Sequence, residues 1–291
     1  MASKGDQLME EGEKSLKKFS LFSFGEDKSE RAREKFLQAA TQFKSISDFA
    51  KAANAYKRAA DMSEKSKNEM DMIIDLEEAA RCYVKAKDTP TAARMYSRVV
   101  DYYDKNQQPH RAGKVCMSLS EITPVPEAMG WLERASKYYE SQGSKVTASE
   151  VTLKMADVKA RSGDYEGARE IYDRLARAAL DDRVSRGGAR KLFFTALLAQ
   201  LASFKSDSIM EDLEVLRDRF EEYQDLDTQF NELTREHMLI KAVIEAIEDE
   251  SVENMEAAVM EYDNICPLDE LRESMLLRAK TALRHRVESI R

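Results

Sequence analysis

Side chains able to act as acid, base or nucleophile are few in this chain and lie far apart. His110, His237 and His285 fall in separate stretches, and Glu236-His237 lacks the HExxH spacing that sets two imidazoles on one helix face for zinc. Cys82, Cys116 and Cys266 form no CxxC pair, and there is no GxSxG elbow or phosphate-cradling glycine loop. Each cysteine reads as a small buried residue in a reducing compartment. Carboxylates abound, but mostly at solvent-facing helical spacing. These residues predict no catalysis, no metal ligands and no cofactor.

What remains is charge and apolar contact. Between Asp207 and Asp263, 19 acidic residues oppose 4 basic ones, a local net charge of −15. The total is −8, so the rest of the chain carries +7. A basic body with an acidic C-terminal third suits two partners of opposite charge. Acids dilute the basic residues throughout and the pI is about 5.3, which argues against nucleic acid.

The segment Phe19-Ser20-Leu21-Phe22-Ser23-Phe24-Gly25 continues no helical stripe and reads as an apolar loop. Two uses fit it: the rings fold back under the first hairpin, or Phe19, Leu21, Phe22 and Phe24 touch a membrane. Burying one Phe contributes about 1.5–3 kcal/mol. Each nearby lysine (Lys14, Lys17, Lys18, Lys28) adds about 1 kcal/mol at an anionic surface. Reversible peripheral docking that needs a second anchor is the expected result. No apolar run approaches a membrane span, and Met1-Ala2-Ser3-Lys4 shows neither a signal sequence nor a myristoylation glycine. The expectation is a cytoplasmic protein.

Helices must position these groups. Only 10 Gly and 5 Pro among 291 residues, with 34% charged residues, suit long amphipathic helices. Tyr165, Ala168 and Tyr172 share one helical face behind the Gly163-Asp164 break. Phe49, Ala52, Ala53 and Tyr56 repeat the pattern, as do Ala92, Ala93 and Tyr96, and then Ala128, Trp131 and Leu132. A period of about 40 residues is one helix pair of an α-solenoid, longer than the tetratricopeptide repeat. Breaks fall at Ser47-Asp48, Ser66 to Asn68, before Pro90, at Asn106 to Pro109, Thr123 to Pro126, Gln142 to Ser144 and Ser162-Gly163.

Arg186-Gly187-Gly188-Ala189 is the strongest internal break, followed by a helix apolar nearly all round (Leu192 to Leu201). The fold class predicted is all-α: a right-handed α-solenoid of tetratricopeptide-like hairpins forming a twisted sheet over residues 1–186, capped by a helical bundle over 187–291. Bundle helices are expected near 208–222, 228–248, 251–263 and 267–288.

Ala257 to Ile265, Leu268-Asp269, Met275 to Lys280 and the ending Glu288-Ser289-Ile290-Arg291 resemble the C-terminal domain of the soluble NSF attachment proteins, of the alpha type. The Phe/Leu loop, the hairpins and the Leu192-Phe193-Phe194 helix occur in matching order, so the resemblance spans essentially the whole chain. It implies a non-enzymatic adaptor, peripheral on secretory and endosomal membranes. Such an adaptor binds four-helix SNARE complexes, several copies on one complex, and recruits and stimulates the hexameric ATPase NSF for SNARE disassembly. By the same resemblance, Lys85, Arg111, Lys114 and Lys154 face SNAREs, and Glu245, Glu248, Asp249, Ile290 and Arg291 face NSF. One family lysine falls on Glu150, a charge reversal, and the family's penultimate leucine on Ile290. The alternative is a tetratricopeptide-like scaffold or chaperone co-factor that grips a peptide C-terminus with Lys51, Asn54 and Arg58.

Overall fold

The computed structural model describes residues 3–17 and 25–290. Among them are fourteen α-helices, one short 3-10 turn and no strand. The helices are α1 (Lys4–Lys17), α2 (Gly25–Ser45), α3 (Phe49–Lys65), α4 (Glu69–Lys85), α5 (Thr89–Lys105), α6 (Pro109–Ser120), α7 (Val125–Ser141), α8 (Lys145–Arg161), α9 (Tyr165–Asp181), α10 (Ala189–Ala202), α11 (Ile209–Leu226), α12 (Arg235–Glu248), α13 (Val252–Ile265) and α14 (Glu270–Ile290). The apolar residues Phe19, Leu21, Phe22 and Phe24 lie outside the described residues.

One three-residue turn recurs. Its middle residue takes a left-handed conformation at Ser47, Lys67, Lys87 and Gln107, twenty residues apart, and again at Gly143 and Gly163. The following residue closes the turn and caps the next helix. Asp48 N–H donates to the Phe43 carbonyl at 2.9 Å, and the Asp48 carboxylate accepts from Lys51 N–H at 3.1 Å. Asn68, Asp88 and Asp164 do the same for α4, α5 and α9. One side chain thus serves two helix ends, ending one helix and starting its antiparallel neighbour. Two such helices make the forty-residue period read from the sequence.

The chain divides into two compact units, residues 1–148 and 149–291. In the first, α1 to α7 pack each against the next. Small residues make close contact: Ala52, Ala53, Ala92 and Ala128 are buried beside Tyr56, Tyr96 and Leu132. At the N-terminal end, Gly5 of α1 sits against the Phe43 ring and Gly12 against the Phe36 ring; a Cβ at either would come within 2.6 Å. Asp6–Lys51 (3.0 Å) and Glu11–Lys35 (2.9 Å) tie α1 down further.

In the second unit α10 is central. Phe193 to Ala202 are all buried, and α9, α11, α12 and α14 pack around them. The sequence puts the change of architecture at residue 187, whereas the units divide at 148. The difference has a physical cause: Ala168, Tyr172 and Ala176 of α9 and Ala156 and Ala160 of α8 share one apolar core with α10. A second difference concerns the helix expected from 228, which begins at Arg235. The Asp227 carboxylate accepts from Gln229 N–H at 3.0 Å, turning the chain, and Thr234 caps α12 instead. That detour buries Phe230 completely.

Candidate functional site

Three of the groups singled out in the sequence, His237, Cys82 and Cys116, are held in packed surroundings. His237 is buried between Phe220 and Phe230, at ring-centre distances of 4.8 and 6.2 Å, with Nε2 at 2.9 Å from Gln224 Oε1. Burial holds its pKa below the ordinary histidine value. Cys82 and Cys116 are buried, and burial pushes the Cys116 thiol up to about 12, far from a reactive thiolate. Among the described residues, no group of three His, Cys, Asp or Glu is arranged to hold a metal ion, and no helix is long and apolar enough to cross a membrane.

The basic positions divide between the units. Lys85, Arg111 and Lys114 are exposed in the first. Lys85 ends α4 with its ammonium 5.0 Å from the centre of the Phe49 ring. Arg111 lies in the first turn of α6, its guanidinium 5.7 Å from the Tyr103 ring centre. Neither Lys85 nor Lys114 pairs with a carboxylate among the described residues. Short turns join α4 to α5 and α5 to α6, so Lys85 and Arg111 sit at opposite ends of α5. At 17 residues, α5 separates them by about 25 Å. The structure therefore brings Arg111 and Lys114 together, one helical turn apart, and leaves Lys85 at the far end of the hairpin. Such a spread suits an elongated acidic partner better than a point ligand. Lys154 belongs to the second unit and is half-buried. Glu150 is exposed on the same helix, α8.

The acidic positions gather at the end of α12. Glu245 and Asp249 are exposed four residues apart, on one face of the helix C-terminus. The helix dipole adds to their negative potential. Glu248 is only partly exposed and pairs with Arg217 of α11, so it buttresses this edge as well as carrying charge. The Ile290 backbone ends α14. Arg291 lies outside the described residues.

The peptide-clamp set is otherwise occupied. Lys51 is paired with Asp6, and Arg58 with Glu13 at 2.5 Å, both carboxylates supplied by α1. Only Asn54 of the three stands free of such a pairing. Sequence alone could not have revealed this, because nothing in the spacing says that α1 folds back onto α3.

Comparison with known proteins gives one family over nearly the whole chain. The family model for "Soluble NSF attachment protein, SNAP" matches residues 3–284. Mouse alpha-soluble NSF attachment protein is 29% identical, over 98% of this chain and 96% of its own length. The bovine beta-soluble NSF attachment protein is 28% identical, over 95% and 93%. A probable vesicular-fusion protein sec17 homolog of Neurospora crassa is 27% identical, over 94% of each. With the match running through both units, from α1 into α14, this chain belongs to the soluble NSF attachment protein family.

Proposed function

We propose that the protein is a non-enzymatic adaptor of vesicle trafficking and membrane fusion. It binds assembled SNARE complexes through the basic residues Lys85, Arg111, Lys114 and Lys154. It presents Glu245, Glu248, Asp249 and the tail Ile290-Arg291 to an NSF-type ATPase, which it recruits and stimulates. The observation that carries the reading is the segregation of charge within a chain that the family model matches from residue 3 to 284. Unpaired cations stand along the hairpins of the first unit, and a carboxylate edge stands at the end of α12 in the second. A long acidic helical bundle complements the first, and a basic ATPase domain the second. The apolar segment Phe19 to Phe24 supplies a weak membrane anchor under this reading, and Ile290 keeps the apolar end group of the family's leucine.

The test is a pull-down with an assembled SNARE complex and NSF, with and without ATP hydrolysis. Lys85→Glu combined with Lys114→Glu is expected to weaken SNARE capture by about tenfold or more, with the circular dichroism spectrum unchanged. Normal capture by that variant would remove the basic-face assignment. Deleting Ile290 and Arg291 is expected to lower ATPase stimulation while SNARE capture persists; equal loss of both would end that division of labour.

A further inference from the structure

Away from the edges just described, the second unit has an open groove of about 570 Å3 along α14. No carboxylate lines the groove; its ionisable groups are Lys205, Arg278 and His285, with Tyr165 on its wall. Other cations of α14 have carboxylate partners elsewhere: Lys280 and Arg284 share Glu256 at 3.2 and 3.3 Å, and Arg286 pairs with Glu250 at 3.4 Å.

Arg278 is already held in place. Its Nε donates to the Ala202 carbonyl at 3.1 Å, and its guanidinium carbon lies 5.5 Å from the Tyr165 ring centre. The rest of the fork is left to meet an oxyanion without ordering a long side chain afresh. Beside it Leu277 is 54% exposed, an apolar side chain open at the groove. Ser274, Leu277, Arg278, Thr281 and His285 recur at helical spacing, so one face of α14 lines the groove for about 16 Å, about three helical turns. The opposite wall adds Lys205 and the buried Phe204.

We infer that this groove docks an acidic amphipathic helix of a partner protein, laid along α14. Apolar side chains of the partner cover Leu277, and its carboxylates meet Lys205, Arg278 and His285. A groove open over three turns favours a peptide edge over an enclosed small molecule, and a cationic lining without a carboxylate selects for acid. The inference does not depend on the SNARE and NSF assignments, which use other residues.

The probe is a fluorescent helical peptide of about 14 residues, with leucines at i, i+3, i+4 and i+7 flanked by glutamates. Controls are the same composition with the leucine register scrambled, a version with lysine for glutamate, and vesicles containing phosphatidylserine. Anisotropy with the full chain is expected to show binding that needs both the register and the glutamates. Lys205→Glu and Leu277→Ser are each expected to weaken it about tenfold, whereas Lys105→Glu, at an exposed position of the other unit, leaves it unchanged. Hydrogen exchange is expected to slow within 274–285 on peptide addition. Equal binding of the scrambled peptide, or undiminished binding by both groove variants, would overturn the inference. So would variants that lose vesicle binding but keep the peptide, an outcome assigning the groove to lipid.

Discussion

Single side chains decide how α1 is held. Gly5 and Gly12 let it lie against Phe43 and Phe36, which are buried and cannot swing away. Gly12→Ala should cost about 1–3 kcal/mol of local stability, read as faster hydrogen exchange over residues 4–17 with the second unit unaffected. Asp6 adds a pH dependence. Its pairing with Lys51, and then its hydrogen bonds from Ser3, lower its pKa to about 2. A carboxylate with a depressed folded pKa contributes stability above its unfolded value, about 3.9. That contribution is lost as pH falls toward about 2. Protection of α1 should therefore weaken between about pH 4 and pH 2, and Lys51→Met should flatten the change over that window. Identical profiles for the two proteins would mean that Asp6 does not set it.

Between helices, the turn is the repeating device, and it carries a cost. Ser47, Lys67, Lys87 and Gln107 adopt left-handed backbone angles that cost a side-chain-bearing residue about 1–2 kcal/mol. The equivalent sites Gly143 and Gly163 avoid that cost. Gln107→Gly should then raise stability by about 0.5–1 kcal/mol, measured as a higher unfolding midpoint in urea. Asp164→Ala should act oppositely, by about 0.5–2 kcal/mol, because the α9 cap accepted by Gly167 N–H is lost. Asp164 also pairs with Lys159 at 2.5 Å, so the substitution frees the end of α8 as well. The sequence showed these turns clearly where glycine, proline or aspartate marked them. It gave no sign that Lys67 and Lys87 take the glycine-like position, since lysine has no preference for it and only the Schellman hydrogen bonds impose it.

Across the chain, two kinds of core do different work. The first unit stacks helices through alanine faces between aromatic flanks, spreading its contacts along the hairpins. The second gathers everything around α10, so its stability is concentrated. Phe193, fully buried and 4.2 Å from the Tyr223 ring centre, is a focus of that core. Phe193→Ala should destabilise it by about 3–5 kcal/mol, seen as lost exchange protection in α9, α10 and α14 while α3 to α5 keep theirs. Loss of protection in all of these helices together would mean that the units unfold as one.

The amino-acid pattern was enough for the all-helical class, the forty-residue hairpin period, the separation of acidic from basic stretches and the family. Each of these rests on local periodicity or composition, which survive without knowledge of contacts. Contacts distant in sequence decided the rest. Lys51 and Arg58 are occupied because α1 returns to α3, and Glu248 is braced because α11 passes beside α12. The core of the second unit reaches back to α8 because Ala156 and Ala160 belong to the same apolar cluster as Ala168 of α9 and the buried face of α10. Lys85 and Arg111 stand a helix length apart, although both read simply as basic residues. A linear pattern shows which face of a helix is apolar or charged; only folding determines which other helix meets it, and so which charges remain free to bind.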